Sequence, residues 1–137
     1  MDPLSVAASI LAVLKLSTDV LKYLNDVKDA STGRRQCAIE VANLFSILSQ
    51  LEFRREEGNG NQLWYTAVRD LAVKHGPLDQ FKEALEMLQD KLTSGGRLKQ
   101  VGEALVWKFK KEEVASILGR MERLKTQFGF ALQMDHL

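Results

Sequence analysis

The sequence predicts an all-α fold: an antiparallel helical bundle of about five to six helices built on a four-helix core, in a single domain over residues 1–137. Three observations predict it. Apolar residues recur at three- and four-residue steps along most of the chain, and no alternating run of strand type occurs. The two prolines, Pro3 and Pro77, both stand where a helix can start. Glycines mark the breaks, at Gly33, Gly58 and Gly60, Gly76, and Gly95 and Gly96. With 137 residues, 45% of them apolar, the chain can hide one core and is too apolar for disorder.

The first helix is expected over residues 3–28, with Asp2 as cap and Pro3 as opener. Its front, residues 4–14, carries no charge and only two polar residues, Ser5 and Ser9. Behind it, Leu16, Val20, Tyr23, Leu24 and Val27 form one face, with Lys15, Asp19, Lys22 and Asp26 opposite. A second helix is expected over 34–57, where Cys37, Val41, Leu44, Phe45, Leu48 and Leu51 repeat at helical spacing. Gly58-Asn59-Gly60-Asn61 stops it. Trp64, Val68 and Leu71 define a shorter helix over 62–73, closed by His75-Gly76.

Pro77 opens a fourth helix over 77–93, with the stripe Leu78, Phe81, Leu85, Leu88 and Leu92. Asp79 suits its start and Lys91 its end. After Ser94-Gly95-Gly96, residues Leu98, Val101, Leu105 and Val106 argue for a helix to about residue 109. The last helix is expected over 111–134, with Val114, Ile117, Leu118, Met121, Leu124, Phe128 and Leu132 inward. No proline or glycine forces a break between these two, and Lys110 is a poor cap. The short connections favour antiparallel neighbours.

Charge is balanced, 19 basic against 18 acidic residues, and a net +1 gives no global attraction to nucleic acid. The single cysteine, Cys37, excludes an internal disulfide and fits a reducing, intracellular setting. On the apolar face of its helix it reads as a small core residue. Catalysis needs a nucleophile, a base and an orienting group. The two histidines, His75 beside a turn and His136 at the end, read as solvated, so no catalytic residue is assigned. One cysteine and two scattered histidines do not make a metal site. No phosphate-cradling loop or other cofactor site is recognisable. Glu112-Glu113 suits the dipole of the last helix, and Arg54-Arg55 with Glu56-Glu57 suggests weak surface pairs.

The uncharged front of the first helix is the unusual feature. At about eleven residues it is far short of the roughly 20 that span a bilayer. Extending it brings in Lys15, Asp19, Lys22 and Asp26, each costly in hydrocarbon. Several copies lining a polar lumen would tolerate those charges. Asp2 as the only early charge argues against a signal peptide. The plain alternative is a central bundle helix buried on all sides. The two are compatible, because a helix hidden at rest can be released later. Lys108, Lys110 and Lys111 form a cluster that suits either lipid headgroups or a solvated helix end.

Several segments together resemble a family. Met1-Asp2-Pro3-Leu4-Ser5-Val6-Ala7-Ala8-Ser9-Ile10 is similar to the start of HeLo-like amino-terminal domains of fungal NOD-like receptor (STAND) proteins. So are Tyr23-Leu24-Asn25-Asp26-Val27-Lys28, Arg34-Arg35-Gln36-Cys37, Gly76-Pro77-Leu78-Asp79-Gln80-Phe81 and Ala104-Leu105-Val106-Trp107-Lys108. The resemblance implies a bundle related to the HeLo domain and to the four-helix executioner domain of the mixed-lineage kinase-like pseudokinase. It also implies a non-enzymatic cell-death effector of innate immunity, cytoplasmic at rest and moving to the plasma membrane on activation. Its partners would be further copies of itself, membrane lipid, and the nucleotide-binding and repeat domains of a longer receptor. Carried onto this chain, the membrane-interacting residues are Leu4, Val6, Ile10, Leu11 and Leu14. The rival expectation is a helical adaptor that self-associates or docks a partner without touching lipid.

Overall fold

Apolar spacing decides which side of each helix faces inward, and the bundle follows from those sides. A computed structural model of the chain describes residues 3–26, 32–58, 61–92 and 109–134. Among them lie five helices and no strand: α1 (Pro3–Asp26), α2 (Thr32–Glu57), α3 (Gln62–Leu71), α4 (Pro77–Leu92) and α5 (Lys111–Gln133). The chain is all-α. Nearly all of the helix expected over residues 98–109 lies outside the described residues; Phe109, at its expected end, is not helical.

α1 packs on α2 and α4, and α5 packs on the same two helices from the other side. Their directions can be read from contacts at the ends. Arg34 Nη1 donates to the Leu24 carbonyl at 3.0 Å, so α2 starts where α1 finishes. Lys91 Nζ meets Glu113 Oε2 at 2.8 Å, and the Phe81 and Phe128 rings lie 6.1 Å apart, so α4 and α5 are antiparallel. Lys125 Nζ reaches Glu40 Oε2 at 3.2 Å, and Asn61, just past α2, donates from Nδ2 to the Met134 carbonyl at 3.4 Å, so α2 and α5 are parallel. The antiparallel expectation thus holds for α1 with α2 and for α4 with α5. The link from α2 to α4 instead passes through α3, which lies across one end of the bundle on α5 and α1.

The core takes Ile10, Val20 and Leu24 from α1, and Val41, Leu44, Leu48 and Leu51 from α2. α4 adds Phe81, Leu85 and Leu88, and α5 adds Ile117, Met121, Leu124 and Phe128; Trp64 and Val68 of α3 close one end. Each large apolar side chain so buried contributes about 1.5–3 kcal/mol. Cys37 is fully buried among them, and desolvation pushes its thiol from 9.0 up to about 11. A thiol reagent at pH 8 should leave Cys37 untouched in native buffer and modify it once denaturant is added. Rapid labelling without denaturant would contradict this placement.

The element ends have local causes. Asn61 caps α3 by accepting the Trp64 N–H at 2.8 Å. α3 stops two residues before the expected end. The Ala72 N–H turns back to the Arg69 carbonyl, and His75 takes φ 61, a left-handed conformation that histidine tolerates better than most residues. Asp79 Oδ2 accepts the His75 N–H at 2.8 Å, which holds that turn. At Gly76 an added Cβ would stand 2.8 Å from Val73 Cγ2 and 2.9 Å from its carbonyl oxygen, so only glycine fits. α5 begins at Lys111 because Glu113 reaches back and accepts the Lys110 N–H at 2.9 Å, one half of a capping box. A lysine side chain has no acceptor to supply the other half.

Glu113 therefore does more than complement the dipole: it caps α5 and ties it to Lys91 of α4. Lys91 and the Lys110 N–H hold its carboxyl below the usual value of 4.5. A depressed folded value means that the link is fully present above about pH 4.5 and is lost as pH falls through the lower value. The Lys110 amide resonance should follow this titration with a midpoint below 4.5. A midpoint at or above 4.5 would refute the pairing.

Candidate functional site

The front of α1 is not buried on all sides. Val6, Ile10 and Val13 point into the core, while Ala8, Leu11, Ala12 and Lys15 face solvent. A corner helix with two main neighbours leaves one face open, and alanine costs little there. The alternative of burial on all sides does not hold in full, because the open face is partly built of alanines, which carry no charge to mark it. Leu11 is the exception, 51% exposed on that face. Leu14 is half-buried against the core. Of Leu4 only the backbone, within α1, is described.

The two ends of α1 are held differently. Ser9, Ser17 and Thr18 donate their hydroxyls to carbonyls of α1 itself, those of Ser5, Val13 and Lys15. Lys15 pairs within the helix, with Asp19 at 3.8 Å. Among the described residues, every side-chain hydrogen bond and ion pair of residues 9–18 stays inside α1, so apolar packing is what ties that stretch to its described neighbours. The far end receives the Arg34 guanidinium on the Leu24 carbonyl.

Lys110 and Lys111, two of the second set of expected residues, are not brought to this site. Lys108 lies outside the described residues. Lys110 and Lys111 are exposed at the start of α5. Because α5 runs parallel to α2 and α2 opposite to α1, these lysines stand at the end of the bundle away from the front of α1. A 24-residue helix is about 36 Å long, so Lys110 and Lys111 are separated from the front of α1 by most of that span. Any lipid contact through the lysines is therefore a different contact from one made by the helix front.

The basic groups that do neighbour the front of α1 are Arg55 and Arg69, which line a cleft with Val6. Arg55 pairs differently from its expected surface partners. Its Nε and Nη2 both engage Glu52, the latter at 3.0 Å, and Glu52 is buried. That bond further stabilises the charged guanidinium. Only Arg54 makes an expected pair, with Glu57 at 3.3 Å. The signal available in the sequence was the i, i+3 spacing of Glu52 and Arg55, which helical geometry favours over adjacency.

His75 serves the turn through its backbone, and His136 lies outside the described residues. Among the described residues, no three histidine, cysteine, aspartate or glutamate side chains gather as a metal site. Among them, too, no helix is long and apolar enough to cross a membrane. No family model, curated protein or solved structure matches the chain.

Proposed function

We propose that this chain is a cell-death effector domain of a fungal innate-immunity receptor, which oligomerises and then permeabilises a membrane through α1. The observation that carries the reading is the front of α1: uncharged, tied to its described neighbours over residues 9–14 by apolar packing, and already offering Leu11 to solvent. The resemblance of several segments to HeLo-like domains supports it independently.

The energetics set the order of events. Exposing Val6, Ile10 and Val13 to water costs roughly 5–9 kcal/mol as an upper bound. That is a large fraction of the 5–15 kcal/mol of a whole domain, so unaided the front leaves the bundle only rarely. A bilayer interface or an assembly of copies returns the cost by burying the same side chains, and adds the water-facing area of Leu11 and Leu14. The charges from Lys15 onward stay toward water or a polar lumen.

The test imposes assembly by fusing the chain to an inducible oligomerisation module and mixes it with neutral and with anionic vesicles. Co-sedimentation and dye release on induction support the proposal. Protein left in the supernatant with dye retained in both vesicle types would overturn it. One observation favours the adaptor reading: Phe53 and Phe130 are 63% and 62% exposed on helices other than α1. Self-association that continues when α1 cannot move, without vesicle binding, would establish that reading instead.

A further inference from the structure

One cavity lies beside the front of α1. A cleft of about 690 Å³ opens between the start of α1, the end of α2 and α3, with Val6, Arg55, Tyr65, Thr66, Val68 and Arg69 among its walls. That size falls within the range of small-molecule sites. Val6 and Val68 are buried and give it an apolar floor. No carboxylate lines it among the described residues. The Arg69 side chain makes no hydrogen bond or ion pair among the described residues, and the Arg55 Nη1 is left over after Glu52 has taken Nε and Nη2. Thr66 adds a hydroxyl that can donate.

An apolar floor beneath two guanidinium groups selects a ligand with both characters. We propose that the cleft binds a small amphipathic anion, a medium-chain acyl carboxylate in the simplest case. Its chain lies against Val6, Val68 and the Tyr65 ring, and its carboxylate accepts from Arg69, Arg55 Nη1 and Thr66. Such charge-assisted bonds are the stronger kind. Because Val6 belongs to α1 and the other walls to α2 and α3, an occupant bridges the front of α1 to the end of the bundle. By linkage it favours the docked helix. The site stands whether or not α1 ever meets a bilayer, so vesicle experiments and binding experiments fail separately.

The test is titration of the full chain with octanoate, followed by the methyl resonances of Val6 and Val68. Octanol and inorganic phosphate serve as the chain without the charge and the charge without the chain. Octanoate should give saturable shifts at both valines, octanol should bind at least about tenfold more weakly, and phosphate should leave the methyls unmoved. Arg69→Ala should weaken octanoate about tenfold without changing the response to octanol. Thr66→Phe, which fills the cleft and keeps both arginines, should weaken both ligands. The proposal is overturned if octanoate gives no saturable shift, if octanol matches it, or if phosphate alone reproduces it. The Arg69 variant lies on an exposed position, so it decides the matter even if Thr66→Phe misfolds.

Discussion

Phe128→Ala should destabilise the bundle by about 3–5 kcal/mol, which lowers Tm by roughly 10–25 °C for a domain of this size. Phe128 is fully buried on α5, and its ring lies 6.1 Å from that of Phe81 at an interplanar angle of 59°. Removing it empties the place where α4 and α5 meet, and the neighbours are held by their own helices and relax only in part. Phe130→Ala is the control. The same side chain two residues on is 62% exposed, and its loss should move stability by no more than about 0.5 kcal/mol. Denaturant melts of the two variants measure both effects. Equal losses would mean that α5 presents a different face to the core.

Leu11→Glu should abolish vesicle leakage by the oligomerised chain while leaving Tm within a few degrees. Leu11 faces solvent, so a carboxylate there keeps its water in the resting bundle. In the membrane-engaged state the same carboxylate sits within the only uncharged stretch of α1, where ionised groups cost about 2.5–3.5 kcal/mol each at a bilayer centre and the penalty repeats in every copy. Ile10→Glu is the opposite case: Ile10 is fully buried, and an unpaired charge there should prevent folding. Leakage that survives Leu11→Glu, with the fold intact, would remove α1 from the mechanism.

The adjacent pair Ile10 and Leu11 shows what was legible in the sequence. Apolar stripes with charged backs, as in α4 and the rear of α1, fix helix faces well, because charge on one side states where water is. The front of α1 carries no such mark. Alanine and serine are compatible with either side, so burial all round was the natural reading, and the open face emerged only from the helix's corner position. Helix starts at Pro3 and Pro77 were clear because proline at a first turn acts locally. The start of α5 falls at the expected residue 111, but its cause was not legible, since the residue that sets it is Glu113, a cap acting backward over three residues where a dipole role already explained the charge. The cleft was illegible for a further reason: Val6, Arg55 and Arg69 meet only through the way α3 lies across the bundle end.

The central claim is that the front of α1 can part from the bundle while its rear stays. Native-state hydrogen exchange measures this residue by residue. The account predicts that amides of Ile10 through Leu14 open with a free energy clearly below that of global unfolding, while those of Val20 through Leu24, beside the Arg34 contact, exchange only with it. Identical opening free energies along the whole of α1, equal to the global value, would contradict it.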